Sequence, residues 1–307
     1  MPISVVEPVQ PAIDWTRRML FRPFNLNKWV TVGFCVWLAY MGQGGGVSFP
    51  GNFGGKGGRD PSAELNRVFS WFRENLILVV TVGAILVVLS LVLGLLMAWV
   101  SSRGRFMFLD NVVRDRAEIR EPWAAFRAEG NSLFLFRLAF GLLSFLAFAA
   151  VVGGGVLLAL PSIRAKELLP AGLAAIVAGG FLLLVLAVGC GLVLMFTEDF
   201  AVPIMYLRRC RALAAWHEVW SLIGAHPGTF VLYVLFKIVI GMAVGTISLL
   251  VFCATCCCLA ILPFLWAVVL LPLFVFMRAY SLHFLGQFHP GYRLLPAEVL
   301  DGPQGMA

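Results

Sequence analysis

A lysine inside a long apolar run is the residue whose position most suggests chemistry. Lys237 lies about eight residues into the run that begins at Thr229, roughly 12 Å deep if the run is helical. A charge near the middle of a bilayer costs about 2.5–3.5 kcal/mol. The favoured interpretation is that Lys237 snorkels back to the cytoplasmic headgroups. The alternative is an ion pair with Glu198 or Asp199 at the end of the preceding apolar run, which would create an intramembrane polar site.

Four cysteines lie close together near the middle of residues 229–284: Cys253, Cys256, Cys257 and Cys258. Such a cluster can bind a metal, form a disulfide or take part in redox chemistry. No His, Asp or Glu lies nearby, and a buried cysteine behaves as a small hydrophobic residue. We therefore expect packing at a turn between two spans, with a disulfide at the outer face of the membrane as the alternative.

Motifs for enzymatic chemistry are incomplete. His217 and Glu218 begin a sequence like the His-Glu-x-x-His motif of zinc proteases, but Ser221 stands where the second histidine belongs. The Gly55-Lys56 pair is not followed by the Ser or Thr of a phosphate-binding loop. The sequence therefore predicts no catalytic residue, no cofactor and no metal ligand, and favours a protein that is not an enzyme.

The composition is that of a membrane protein. Of 307 residues, 61% are hydrophobic and 13% are charged, with a mean hydropathy of +0.92. A soluble domain carries about 25% charged residues, and a soluble chain of this length could not bury so much apolar surface. The net charge of +7 comes mainly from arginine, and it is not arranged in the basic and aromatic runs typical of nucleic-acid binding. Lipid is the expected surrounding, and nucleic acid is not an expected partner.

Long apolar runs predict an all-α, polytopic transmembrane bundle of about six spans within one integral membrane domain, residues 1–307. About 20 residues cross a bilayer. The predicted spans are residues 29–41, 76–100, 134–160, 168–196, 229–252 and 260–284. The first is short for a crossing and is the weakest candidate. Pro263 and Pro272 should bend the last.

Basic residues predict the orientation of these spans. Segments assigned to the cytoplasmic side carry 15 Lys and Arg residues, among them Arg103, Arg105 and Arg278, against 6 on the other side. Both termini are therefore expected in the cytoplasm, with the chain in a bacterial inner membrane. The bundle would be flanked by a cytoplasmic or interfacial N-terminal segment, a Gly-rich extracytoplasmic loop and a cytoplasmic tail, residues 1–28, 42–74 and 285–307.

Short amphipathic segments before three of the spans suggest an internal repeat. Shifting the sequence by 94 residues places Phe126 on Trp220 and Gly130 on Gly224, and each glycine is expected to end a short helix. An amphipathic helix with Trp on one face lies in the headgroup plane. The alternative is that any elbow at a membrane surface attracts these residue types. The predicted interfacial anchors are Trp15, Trp123, Trp216 and Trp220.

Small residues mark predicted helix contacts. Gly241 and Gly245 form a Gly-x-x-x-Gly motif, which lets two helices approach closely. We expect this motif to pack inside the monomer, with a homodimer contact as the alternative.

The elbow pattern, the Leu20-Phe21-Arg22-Pro23-Phe24 sequence and the Gly-rich stretch after residue 41 carry a family resemblance. On them, the chain resembles uncharacterised prokaryotic multi-pass proteins similar to the membrane domain fused to some glycerophosphodiester phosphodiesterases. The phosphodiesterase domain is absent, so the resemblance implies no hydrolase activity.

These features predict a non-enzymatic membrane protein of unknown biochemical function that acts through membrane lipids, a protein partner or a second copy of itself. The competing hypothesis is a small-molecule transporter or lipid-handling protein with a polar path near Lys237. A transporter should place several polar residues together at mid-membrane, whereas this sequence by itself points mainly to Lys237.

Overall fold

The computed structural model describes residues 3–41, 74–165, 170–255 and 263–296, and these residues contain helices and no strand. The all-α prediction is confirmed for this part of the chain. The Gly-rich segment 42–73, Cys256, Cys257, Cys258 and the last residues of the tail lie outside the described residues.

Eleven α-helices follow one another in the described residues. They are α1 (Val9–Phe21), α2 (Leu26–Tyr40), α3 (Leu76–Val113), α4 (Arg120–Ala125), α5 (Arg127–Ala165), α6 (Pro170–Phe196), α7 (Val202–Arg208), α8 (Ala212–Ala225), α9 (Pro227–Ala254), α10 (Pro263–Val269) and α11 (Leu271–Leu285). A π-helical turn, Thr197–Ala201, joins α6 to α7, and a 3₁₀ turn, Pro290–Tyr292, follows α11.

Four helical stretches are long and apolar enough to cross a membrane: Leu76–Val113, Arg127–Leu160, Gly172–Arg208 and Pro227–Val251. No residue of their most apolar windows is buried within the described part of the chain. Ile77, for example, is 84% exposed. Apolar surface of this extent is stable against hydrocarbon and unstable against water, which is consistent with a membrane protein.

The first and last predicted spans are short helices in the structure. α2 has 15 residues, fewer than a bilayer crossing needs. The region of the last span is divided into α10, with 7 residues, and α11, with 15. The break falls at Leu270, and Pro272 stands in the first turn of α11, where its missing N–H is tolerated. The described residues therefore provide four candidate spans, where the sequence predicted six over the whole chain.

The buried core is formed by α1, α2, the second half of α3, α7 and α11. Residues 101–112 of α3 are all buried. Gly104 makes this packing possible, because a Cβ atom there would lie 2.7 Å from the backbone nitrogen of Ala39 in α2. α1 is fixed to α3 by Trp15, whose indole N–H donates to the carbonyl of Val112 at 3.2 Å.

Helix α3 corrects one predicted boundary. The predicted span ends at residue 100, with Arg103 and Arg105 in a cytoplasmic loop. The helix instead continues to Val113, and both arginines are buried, with exposed fractions of 6% and 2%. Charged residues did not end the helix because the protein supplies hydrogen-bond acceptors and carboxylates around them.

The short segments before the long helices are helical, but they do not end at the predicted glycines. α8 ends at Ala225, one residue beyond Gly224, and Pro227 begins the next helix. The end predicted at Gly130 is wrong, because the break falls at Phe126 and Gly130 lies inside α5. A Cβ atom at Gly130 would lie 2.8 Å from Arg103 Cγ, so this glycine allows close packing. The internal repeat stays a prediction.

Both ends of the described chain pack onto the helices. Gln287 exchanges two hydrogen bonds with the backbone of Ser4, at 2.8 and 2.9 Å, and Tyr280 donates to the carbonyl of Val5 at 3.0 Å. Glu218 of α8 pairs with Arg208 and accepts a short hydrogen bond from Tyr292. The beginning of the predicted tail is therefore part of the folded protein.

Candidate functional site: a buried cluster of charges

Lys237 forms an ion pair with Asp199 inside the protein. Its Nζ lies 2.8 Å from both carboxylate oxygens of Asp199. The side chains are 11% and 8% exposed, so the pair is almost completely removed from its surroundings. The favoured interpretation, in which Lys237 snorkels to the headgroups, is wrong in this structure. The side chain instead has its partner at its own depth, as a buried charge requires.

Chain geometry explains why these two residues meet. The stretch Gly172–Arg208 and helix α9 run in opposite directions and are joined through α8. Asp199 lies nine residues before Arg208, and Lys237 lies ten residues after Pro227. At 1.5 Å per residue, both lie about 14–15 Å from the α8 end of their helices. Opposite charges at equal depth on adjacent antiparallel helices can pair directly.

The π-helical turn presents the carboxylates. Residues Thr197–Ala201 widen the helix by one residue per turn between α6 and α7. Asp199 is buried there, while the neighbouring Glu198 side chain is 20% exposed. Such turns are frequent at functional sites, because they change the direction of side chains without ending the helix.

Aromatic side chains close the cluster on the α11 side. Tyr233 donates to Asp199 Oδ2 at 3.0 Å and stacks on Tyr280, with ring centroids 5.8 Å apart. Phe284 contacts the same tyrosine ring at 4.4 Å. Because Tyr233 is one turn before Lys237 on α9, the lysine and the phenol reach Asp199 together. These contacts hold the first half of α9 against α11.

Two arginines that the sequence analysis counted on the cytoplasmic side complete the cluster. Arg278 of α11 is 5% exposed, and its Nη1 donates to the backbone carbonyl of Glu198 at 2.5 Å. Arg105 of α3 lies with its Nε 3.9 Å from Glu198 Oε1. The cluster therefore contains three cations and two carboxylates: Arg105, Lys237, Arg278, Glu198 and Asp199.

A cavity of about 280 Å³ opens beside these charges. Tyr40, Glu198, Asp199, Lys237 and Arg278 supply its polar wall. Its apolar wall comes mainly from α6, α9 and α11 and is formed by Met195, Val244, Leu270, Leu273, Phe274 and Met277, with Ser248 at the same wall. An apolar pocket with a few convergent polar groups is the usual form of a small-molecule binding site.

The predicted tryptophan anchors are placed in different environments. Trp15 is 4% exposed and belongs to the core, so its ring is held by protein. Trp123 is half-buried against Trp99, with ring centroids 5.9 Å apart. Trp216 is half-buried and donates to Thr197 Oγ1 at 3.1 Å. Trp220 is 70% exposed and is the one of the four predicted anchors whose ring points away from the protein.

The predicted helix contact of Gly241 and Gly245 is absent from the described residues. No heavy atom of another described segment lies within 4 Å of a Cβ built on either glycine. The expectation of packing inside the monomer is therefore not met by this part of the chain. Cys253 is exposed and has no disulfide partner among the described cysteines.

A second charged cluster lies at the end of α3. Asp110 is fully buried and accepts hydrogen bonds from Arg116 at 2.7 Å and from Tyr206 at 2.9 Å, while Arg114 lies 3.1 Å away. A hydrogen bond from Arg116 also lowers the pKa of the exposed Glu121 carboxyl. Every charge here has a partner, so this cluster connects α3, α4 and α7 and leaves no group for a ligand.

The chemistry available at the Lys237 cluster is binding. Across the residues that the structure describes, no three His, Cys, Asp or Glu side chains are close enough to hold a metal ion. The cluster does offer guanidinium, ammonium, phenol and carboxylate groups beside an apolar wall. Such groups can hold the polar part of a molecule whose remainder is apolar.

The chain belongs to a family of unknown function, DUF7544, whose model matches residues 3–271. No curated protein and no solved structure matches the chain. The predicted resemblance to uncharacterised proteins is confirmed to the extent that the chain belongs to a family of unknown function. Nothing in the match connects the family with membrane domains fused to glycerophosphodiester phosphodiesterases.

Proposed function

We propose that this protein is a non-enzymatic membrane protein that binds an amphiphile, a lipid or a small lipid-like molecule, in the cavity beside Lys237. The observation that carries the proposal is the buried charge cluster, four of whose five members line one wall of that cavity. This is the transporter or lipid-handling alternative of the sequence analysis. The proposal names the binding step that transport and lipid handling have in common.

Burial of the charges supports a binding role. Removing charged groups from water or headgroups costs several kcal/mol per ion, and a hydrophobic replacement is often at least as stable. Ionisable residues within membrane-spanning segments therefore mark ligand or ion pathways more often than they stabilise a fold. Here the charges come from three long helical segments and from α11, and four of the five line one cavity.

The position of the cavity supports an amphiphile rather than a water-soluble ligand. Its apolar wall includes Val244 on α9 and Phe274 and Met277 on α11, and each of these side chains is partly exposed. On the opposite side of α9, Met242 is 61% exposed, as expected of a helix that faces lipid. A lipid tail could therefore enter between α9 and α11 directly from the bilayer.

The proposal includes a membrane arrangement. We place the chain in a bacterial inner membrane with both termini in the cytoplasm, as the basic residues predict. A six-span arrangement, with α2 and the α10–α11 region as short crossings, stays part of this proposal, as do the internal repeat and surface-parallel elbow helices. The narrower resemblance to phosphodiesterase-associated membrane domains also remains a hypothesis, supported by the residues quoted above.

A cavity-filling variant tests the proposed function. Ser248→Trp puts an indole into the cavity, whereas the matched control Leu249→Trp adds the same group at an adjacent position that is 61% exposed. The three proteins are purified with native lipid, and bound small molecules are extracted and identified by mass spectrometry. We expect one species at near-stoichiometric amount in wild type and Leu249→Trp, and its loss in Ser248→Trp. Equal amounts in all three proteins, or none in wild type, would contradict the proposal.

Contact with a second copy of the chain is a second candidate role. The exposed Gly241 and Gly245 leave a smooth face on α9, where another helix could approach closely. Cross-linking in membranes tests this candidate. A dimer that disappears in Gly241→Leu and persists in Gly83→Leu, a change at an equally open position on α3, would support it. A monomer in both cases would exclude it.

A further inference from the structure

We infer that the cavity takes an amphiphile with one anionic head group, a carboxylate or a phosphate, and a single hydrocarbon chain. The inference rests on the proposed function, because it names the ligand class of the same cavity. It follows from the unsatisfied hydrogen-bond donors, the charge balance, the nature of the apolar wall and the size of the cavity.

Buried guanidinium groups in the cluster have donors without partners. Arg278 lines the cavity and is 5% exposed, yet its Nε makes no hydrogen bond with any described residue. The Nη2 of Arg105, a residue 2% exposed, likewise makes no hydrogen bond with any described residue. A buried donor left unsatisfied is destabilising, and more so when it carries charge. An anionic oxygen at Arg278 Nε would remove that cost, and guanidinium is the side chain best suited to carboxylate and phosphate.

The charge balance also favours an anion. Asp199 already accepts three hydrogen bonds, two from Lys237 and one from Tyr233, so its carboxylate is satisfied. Of the remaining groups, Glu198 is the only carboxylate, and it stands against two arginines, Arg105 and Arg278. The cluster therefore carries one positive charge in excess. In a low-dielectric interior an unbalanced charge is costly, and an anionic ligand would neutralise it.

A cationic ligand is the competing class, because Glu198 is less well paired than Asp199. Its carboxylate lies 3.9 Å from Arg105 Nε, beyond hydrogen-bond distance, and its side chain is 20% exposed. A cation at Glu198 would leave Arg278 Nε unsatisfied and would increase the positive excess from one to two. An anion would both accept a hydrogen bond from Arg278 Nε and neutralise the positive excess, so the structure favours an anionic ligand.

The apolar wall and the volume define the rest of the ligand. Aromatic contacts of Phe230, Tyr233 and Phe236 with α11 close one end of the space between α9 and α11. Beyond them the wall consists of aliphatic, Met and Phe side chains. A volume of about 280 Å³ is at the lower limit for pockets that bind small molecules. It therefore suits one hydrocarbon chain better than the two chains of a bilayer phospholipid.

Four conditions, three with an amphiphile and one with inorganic phosphate, test the ligand class. The full chain is delipidated in dodecyl maltoside, a neutral head group on a dodecyl chain, which gives the baseline. Dodecyl phosphate, inorganic phosphate and dodecyltrimethylammonium are then added separately, and the apparent melting temperature is followed by intrinsic fluorescence. We expect dodecyl phosphate to raise the apparent melting temperature by roughly 4 °C at one hundred times its Kd. Inorganic phosphate and dodecyltrimethylammonium should leave it unchanged.

Two variants connect that shift to the cavity. Ser248→Trp should abolish it by occupying the space for the chain. Arg278→Lys keeps the charge but removes the Nε donor and the planar geometry, so the Kd for dodecyl phosphate should rise about tenfold or more. The comparison of probes on wild type remains decisive even if Arg278→Lys fails to fold.

Each contrary result identifies what has failed. Stabilisation by dodecyltrimethylammonium that Ser248→Trp abolishes would overturn the anionic class while keeping the proposed cavity. Stabilisation by inorganic phosphate alone would overturn the inference that the ligand is an amphiphile. An equal effect of dodecyl phosphate on wild type and Ser248→Trp would overturn both the inference and the proposed function, because the probe would then bind elsewhere.

Discussion

Breaking the Lys237–Asp199 pair from one side should strongly destabilise the protein. Both side chains are about nine-tenths buried, and the ammonium contacts both oxygens of the carboxylate at 2.8 Å. Lys237→Met removes the cation and leaves Asp199 with Tyr233 as its remaining hydrogen-bond donor. Breaking a buried ion pair by removing one partner costs about 3–5 kcal/mol. For a chain of this size that corresponds to a fall in melting temperature on the order of 10 °C.

The double variant isolates the pair. Asp199→Asn combined with Lys237→Met removes both charges, so it should be more stable than either single variant, with a coupling energy above about 2 kcal/mol. The assay is thermal unfolding of all four proteins in the same detergent. Small and additive effects would refute the pair and with it the buried charge cluster.

A surface pair of the same residue types provides the matched control. Lys28 Nζ lies 2.7 Å from Asp115 Oδ1, but these side chains are 16% and 39% exposed. An exposed pair contributes at most about 1 kcal/mol. Lys28→Met should therefore change the melting temperature by a few degrees at most. A loss as large as that of Lys237→Met would show that the measurement does not distinguish buried from exposed pairs.

Three further predictions concern packing, and each is measured by thermal unfolding in detergent. Gly104→Ala should destabilise the protein by several kcal/mol, because its Cβ would meet the backbone of α2. Gly94→Ala on the same helix has open space around it and should be neutral or stabilising by about 0.5–1 kcal/mol. Equal effects of the two variants would contradict the close approach of α3 to α2. Asp110→Asn should cost about 1–3 kcal/mol, because Arg116 and its neighbours lose a charged acceptor; an unchanged melting temperature would show that the network contributes nothing. Trp216→Ala should cost about 2 kcal/mol, whereas Trp220→Ala, at a side chain 70% exposed, should cost almost nothing in detergent; the reverse order would mean that α8 is rotated.

The sequence predicted the membrane class and the long helices well, because their signal is local. Runs of about 20 apolar residues identify a helix without knowledge of its neighbours. The four long helical stretches contain the predicted spans 76–100 and 134–160, and the greater part of 168–196 and 229–252. Prediction failed where helices continue through charged residues, as α3 does through Arg103 and Arg105.

The candidate site could be predicted only in part. Lys237 and the two acidic residues were identified because a charge next to or within an apolar run is conspicuous in the sequence. The choice between snorkelling and pairing depends on whether a partner lies at the same depth, which requires the direction and length of both helices. Counting residues from Arg208 and Pro227 would have given that depth, had the helix been known to continue beyond Phe196. The partners Arg105 and Arg278 come from distant helices, and their sequence neighbours do not distinguish them from loop residues.

Burial of these arginines also changes the argument for orientation. Arg103, Arg105 and Arg278 were counted among 15 basic residues on the cytoplasmic side, but all three are at most 6% exposed. Residues held inside the protein do not interact with anionic headgroups, so 12 remain against 6 on the opposite side. The predicted orientation keeps its sign with a smaller excess.

The most direct test of the account is an experimental structure of the chain in native lipid, determined by electron microscopy with a bound antibody fragment to add mass. We expect ligand density in the cavity, with its head group within hydrogen-bond distance of Arg278 Nε and its chain along Phe274 and Met277. We also expect Lys237 to remain paired with Asp199. A cavity filled by the protein's own side chains, or a Lys237 ammonium directed to the headgroups, would contradict the central claim.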